Sequence, residues 1–245
     1  MSQSLTPAPA QGVRVSGYFI IVVAIFVTAL LTANIVVVKL ASFGIAILPA
    51  GVIVFPISYI IGDVLTEVYG YRMARAVIWL GFLCNAMLVF FIWVGGVLPV
   101  APGWDGQDAY QRILGNTPRI LGASFAGYLV GEFSNSFILA RMKLATRGRW
   151  LWTRTVGSTI VGEGLDSLVF ISLAFGGMMP GGALGQMIIN QWLAKVAFET
   201  LATPLTYAVV GFLKKKEKMD VYDYSTSFNP FAVFGRLWSR THPAK

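Results

Sequence analysis

The sequence predicts an all-α membrane protein of six transmembrane helices with both termini on the cytoplasmic side. Three observations carry that expectation. Of the 245 residues, 56% are hydrophobic and only 12% are charged, whereas an ordinary soluble domain is about a quarter charged. A hydrocarbon core about 30 Å thick takes about 20 apolar residues of helix at about 1.5 Å rise each, and the chain holds six runs of that order. Lys and Arg are dense in every second segment between those runs, which is the asymmetry of the positive-inside rule.

The runs are Tyr18 to Val38, Phe43 to Ile61, Ala76 to Val97, Ile120 to Ala140, Val156 to Met179, and Leu184 to Leu213. They divide the chain into a cytoplasmic lead (1–17), a transmembrane domain (18–213) and a cytoplasmic tail (214–245). The lead holds Pro7 and Pro9 among small residues and reads as disordered. None of the runs alternates as the strands of a membrane barrel do. Pro49 and Pro56 interrupt the second, which a membrane helix packed against neighbours absorbs. The first is long and followed by five more, so it reads as a retained helix and not as a cleaved signal.

Basic residues fix the orientation. Arg14 precedes the first run, Arg72 and Arg75 follow the second, and Arg141, Lys143, Arg147, Arg149 and Arg154 join the fourth to the fifth. Lys214, Lys215, Lys216 and Lys218 follow the sixth, whereas the opposite side carries only Lys39, Arg112 and Arg119. The net charge of +8 is therefore a matter of topology and of attraction to anionic lipid, and it calls for no nucleic-acid partner. After Lys218 the tail turns aromatic, with Tyr222, Tyr224, Phe228, Phe231, Phe234 and Trp238, and is expected to rest on the inner membrane surface.

Enzyme chemistry has little to work with. The single cysteine, Cys84, permits no disulfide within the chain, and the only histidine, His242, lies in the tail. There is no HExxH, GxSxG, Walker loop or Cys/His cluster, so neither a metal nor a cofactor is expected.

Ionisable side chains at membrane depth are functional candidates because isolated charges there are expensive. Glu132, Glu163, Asp166 and Glu199 stand against Lys195, an acid surplus that protonation or a cationic, donor-rich ligand relieves. Glu163 and Asp166 share a helical face at a spacing of three, between Gly162 and Gly164. Asn135 lies one position off the face of Glu132. Asn34, Asn85 and Asn190 are further polar candidates, each able either to meet a ligand or to bond a neighbouring helix. Lys195 and Glu199, four apart, have the spacing of an intrahelical ion pair. Thr203-Pro204 marks an expected kink.

Small residues at a spacing of four allow close helix approach. Ala29 and Ala33 form one such pair. Gly127 and Gly131 form another, serving contact within the chain or across a homodimer. The segment from Phe55 to Arg75, FPISYIIGDVLTEVYGYRMAR, is the densest in chemistry. Here Asp63 and Glu67 are expected at the cytoplasmic boundary, either in a salt-bridged turn or as a gate that pairs with Arg72 or Arg75 in one state. The loop from Pro99 to Thr117, with Trp104, Asp105 and Asp108, is expected on the outer face.

That segment carries a resemblance to the bacterial queuosine-precursor transporter family, also known as vitamin uptake transporters. Phe55-Pro56, Asp63 to Gly70 and Arg72 to Arg75 match its hallmark. Gly162-Glu163 with Asp166-Ser167 and Phe170, Lys195 and Glu199 with Thr203-Pro204, and Val221-Tyr222-Asp223 with Phe228 to Phe231 follow in the family's order. The resemblance implies a bacterial inner-membrane importer of the 7-deazaguanines preQ0 and preQ1. It also implies a fold like the S-components of energy-coupling-factor transporters, without requiring their ATPase module.

On that reading Glu163 and Asp166 read the base, Glu132 is the next candidate and Lys195 sets their charge state. Asn135 or Asn190 answers the ring carbonyl, and Phe125, Tyr128, Phe170 or Trp192 stacks on the bicycle. Three alternatives stay open: an S-component-like binding subunit, for which Ala29-x-x-x-Ala33 is the support, a carrier of another vitamin-like heterocycle, and a membrane scaffold or assembly factor.

Overall fold

The structure is a computed structural model that describes residues 16–36, 39–42, 47–115, 118–178, 180–224 and 226–232. The lead up to residue 15, Met179, Phe234, Trp238 and His242 lie outside the described residues. Seven α-helices make up the rest, with one short hairpin. They are α1 (Gly17–Val36), α2 (Phe55–Tyr69), α3 (Tyr71–Val97), α4 (Gln107–Leu114), α5 (Pro118–Ala145), α6 (Leu151–Phe175) and α7 (Gly181–Glu217). Four of them, α1, α3, α6 and α7, are long and apolar enough to cross a bilayer.

The second run departs most from expectation. In place of one helix from Phe43 to Ile61, antiparallel strands β1 (Leu40–Ser42) and β2 (Ile47–Pro49) pair Ala41 with Leu48. A 3-10 turn at Ala50–Ile53 then leads into α2. The prolines explain the division. Pro49 pairs with Leu40 at the end of β2, the next cross-strand donor being Ala50 N–H to the Lys39 carbonyl at 2.7 Å, and Pro56 sits in the first turn of α2, where its missing N–H costs nothing. From there α2 runs on past Ile61 through Asp63 and Glu67, so both acids lie on a helix and not in a boundary turn. At 15 residues it is about 22 Å long, shorter than a bilayer core.

Gly70 separates α2 from α3. Its φ of +82° and ψ of 163° fall in a region open essentially to glycine alone, and a Cβ there would meet Val221 Cγ1 at 2.6 Å. Helix α3 therefore begins at Tyr71, which places Arg72 and Arg75 in its first turns. The loop after α3 contains the unexpected α4, tied back by Tyr110 Oη donating to the Ile92 carbonyl at 2.8 Å.

The bundle is apolar outside and encloses polar clusters as well as an apolar core. Ile20, Ile21, Phe90, Phe91, Leu168, Leu201 and Leu205 are exposed, whereas Asp63, Glu67, Arg154, Glu163, Lys195 and Glu199 are buried. A continuous apolar cluster from Val22 and Phe26 through Val64, Leu65 and Val68 to Val210 and Leu213 binds α1, α2 and α7. Between α5 and α6 the axes come close because glycines face each other. A Cβ at Gly131 would lie 2.7 Å from Asp166 Cβ, and one at Gly162 would lie 2.7 Å from Asn135 Cβ. Gly127 and Gly131 thus serve contact within the chain. Ala29 and Ala33 are likewise buried, and Pro204 lies within the continuous span of α7.

The described part of the tail, up to residue 232, packs on the protein. Its residues strap the basic end of the bundle. Val221 N–H donates to the Val68 carbonyl at 3.3 Å, and Asp223 Oδ2 accepts from Tyr71 N–H at 2.9 Å, capping α3. Arg75 donates to the Ser227 and Asn229 carbonyls, both at 2.7 Å, and Trp79 Nε1 donates to Pro230 O at 2.9 Å. Phe228 packs on Tyr71 and Phe137 with ring centroids 5.0 and 5.2 Å apart.

Gly70→Ala is expected to lower stability by about 1–3 kcal/mol, through both the backbone conformation and the Val221 contact. Thermal melting of the purified variant in detergent reads this. An unchanged midpoint would contradict it.

Candidate functional site

Two polar centres lie in the bundle, and α2 contributes an acid to each. At the basic end, Glu67 is fully buried and surrounded by three cations. Arg154, in the first turn of α6, donates Nη2 to Oε1 at 2.8 Å and Nε to Oε2 at 3.2 Å. Lys214 of α7 donates to Oε1 at 2.7 Å, and Lys143 of α5 lies 3.7 Å from the same oxygen. Lys143 also donates to the Glu67 and Val221 carbonyls at 2.5 and 2.6 Å and to Asp220 at 2.6 Å. Burial raises the Asp220 carboxyl, but hydrogen bonds from Lys143 and Lys214 outweigh it and hold the group below the usual carboxylate range. Its contribution is therefore present at neutral pH and is lost only as the pH falls through that lowered value.

Arg72 is exposed and Arg75 holds tail carbonyls, while Glu67 is paired here with Lys143, Arg154 and Lys214. Lys143, Arg154, Lys214 and Asp220 carry this centre with Glu67. Sequence reasoning counted the basic members only as loop charges. The available signal was that Lys143 and Arg154 fall within one or two turns of apolar runs, close enough for the helices to extend over them.

The second centre lies deeper. Lys195 of α7 donates to Glu163 Oε2 at 2.8 Å and also to Asp166 Oδ2, so it bridges to α6 instead of pairing with Glu199 on its own helix. Tyr59 of α2, absent from the sequence expectations, sits with its ring centroid 5.6 Å from Lys195 Nζ. Asn135 of α5 donates Nδ2 to Asp63 Oδ1 at 2.8 Å. A Cβ at Gly62 would lie 3.3 Å from Glu132 Oε2, which places Glu132 against α2. Among the described residues, Asp63 Oδ2, Asn135 Oδ1, Ser167 Oγ and both oxygens of Glu199 have no hydrogen-bond partner.

Other candidates stand apart. Asn190 is exposed and accepts from Gln186 at 2.8 Å. Asn34 donates to the Leu30 carbonyl of its own helix at 3.0 Å. Asn85 is buried with Oδ1 unpartnered among the described residues. Tyr128 donates to Ile78 O at 3.0 Å and Phe125 packs on Phe82 at 5.4 Å, so both serve the α3–α5 contact. Trp192 donates to Ile160 O at 2.8 Å and lies over Gly164. Phe170 lies against Gly127. No group of three His, Cys, Asp or Glu side chains suited to a metal occurs among the described residues.

Apolar helices around a core of satisfied and unsatisfied carboxylates define a multi-pass membrane protein with an internal polar site. Residues 49–209 match the family model described as "Putative vitamin uptake transporter", and the chain belongs to that family. It is 30% identical over 159 residues to a Bacillus subtilis (strain 168) protein named "Probable queuosine precursor transporter", covering 64% of this chain and 69% of that one. It is 26% identical over 125 residues to the Escherichia coli (strain K12) "Queuosine precursor transporter", covering 51% and 54%. No solved structure matches.

Glu67→Ala would leave buried cations without their counter-ion and is expected to cost about 3–5 kcal/mol. The check is the melting temperature beside that of Asp105→Ala, at an exposed loop acid. Equal melting of the two would show that Glu67 is not the hub.

Proposed function

We propose that this protein imports queuosine precursors, 7-deazaguanines such as preQ0 and preQ1, across the bacterial inner membrane. Both relatives are named as transporters of queuosine precursor, the first as a probable one. The observation in this chain that supports the reading is the acid surplus of the deep centre. Asp63, Glu132, Glu163, Asp166 and Glu199 share it with Lys195, and Glu199 has no partner among the described residues.

A deazaguanine presents a ring N–H beside an exocyclic amine, a donor pair matched to the two oxygens of a carboxylate. Glu163 and Asp166 read that edge, Glu132 stands next to them, and Lys195, bonded to one oxygen of each, sets their charge and direction. Phe170 and Trp192, which line α5–α6 and α6–α7, supply flat apolar surface.

The same reading gives six crossings: the four long apolar helices, α5, and the unit of hairpin, 3-10 turn and α2 acting as one. The Ser16 hydroxyl donates to Glu217 at 2.6 Å, so the start of α1 and the end of α7 share the basic end, which the positive-inside rule assigns to the cytoplasm. The fold is read as related to S-components, but Ala29 and Ala33 pack inside the bundle. That favours a carrier working without an energising module.

Glu163→Gln and Asp166→Asn are each expected to cut uptake of labelled precursor by about tenfold or more, with the protein still present in the membrane fraction. Undiminished uptake by both variants would overturn the assignment.

A further inference from the structure

Beside the pair bridged by Lys195, the deep centre holds a second set of atoms whose bonding capacity is unused. Neither oxygen of Glu199, nor Oδ2 of Asp63, nor Oδ1 of Asn135 has a hydrogen-bond partner among the described residues. These side chains are nearly inaccessible, at 1, 1 and 5% exposure, and come from α7, α2 and α5. The amide orientation of Asn135 follows from chemistry. A carboxylate accepts, so the nitrogen must face Asp63 Oδ1 at 2.8 Å, and the oxygen is what remains. With both carboxyls ionised, all four unmet atoms are acceptors.

The cations of the bundle are committed elsewhere. Lys195 is bonded to Glu163 and Asp166, and Lys143, Arg154 and Lys214 surround Glu67. Asp63 shares its electrostatic surroundings with Glu199, Glu132 and Glu67, and Glu199 shares those of Glu163. Every charged neighbour so named is another acid. Buried acceptors without donors, in a field of one sign, are expensive. A primary ammonium brings three donors and one positive charge, and three side chains from three helices here offer acceptors to it.

We infer that Asp63, Asn135 and Glu199 form a subsite for a primary ammonium group, so the favoured cargo is a deazaguanine bearing an aminomethyl cation over one bearing a neutral nitrile. This rests on the transport reading above, since the ammonium is a side group of that substrate. The nitrile offers an acceptor nitrogen and no donor, so it adds to the unmet acceptors of the subsite. The protonated amine converts the same atoms into charge-assisted hydrogen bonds.

The experiment is competition binding to the purified full chain in lipid nanodiscs, with preQ1 as the aminomethyl compound and preQ0 as the nitrile. The wild type is expected to prefer preQ1 by about tenfold or more. In the isosteric Glu199→Gln and Asp63→Asn variants that ratio falls towards one, because preQ1 loses more than preQ0. Equal or tighter binding of preQ0 by the wild type overturns the inference alone, as does a ratio that persists in both variants. Binding of neither compound overturns the transport reading together with it. The wild-type ratio decides even where a variant does not fold.

Discussion

The ionic contact between Glu67 and the Arg154, Lys214 and Lys143 side chains is the constraint on which the rest of the bundle depends. It joins α2, α5, α6 and α7 at one carboxylate with no access to solvent. Taking these charges out of water is costly, and the arrangement is tolerable because each group is answered by several partners. Asp220 and the Val68–Val221 backbone bond add the tail to the same point. Once Glu67 is fixed, Asp63, one turn earlier on α2, is delivered to the deep centre beside Asn135. The hub thus positions the site as well as holding the helices.

The deep centre depends on a different device, the missing side chains of Gly127, Gly131 and Gly162. Their absence lets α5 and α6 approach until Asp166 lies against one helix face and Asn135 against the other. In lipid there is no hydrophobic drive between helices, so such close packing and internal polar contacts do the joining. The result is a core in which Lys195 satisfies one pair of acids while Glu199 and one oxygen of Asp63 have no partner among the described residues. Unmet acceptors in a transporter-family chain are best understood as capacity reserved for a ligand that brings donors.

Much of this was legible in the sequence because lipid imposes a simple rule of length and apolarity, and five of the six runs became helices near the expected places. The second run failed because length and apolarity do not distinguish a helix from a hairpin, a 3-10 turn and a shorter helix, and Pro49 and Pro56 were read as absorbed when they punctuate. Spacing and run length put Glu163, Asp166, Lys195 and Glu132 inside the bundle, and there Lys195 bonds Glu163 and Asp166. The choice of partner for Lys195 was not, because i, i+4 spacing favours Glu199 on the same helix while tertiary packing gave it two acids on α6. Asp63 lies on α2 and not in a turn, for the same reason that the second run is divided. The role of Lys143, Arg154 and the tail was invisible, since a positive charge near a helix end reads as topology until the acid it meets is known.

On the transport reading, the surplus of buried acceptors around Lys195 holds a donor-rich heterocycle. Isothermal titration of a 7-deazaguanine precursor into the purified chain in nanodiscs, with no nucleotide and no partner protein, tests it most directly. Saturable binding to the chain alone is the predicted result. Absence of saturable binding, from a preparation whose melting shows it to be folded, would contradict it.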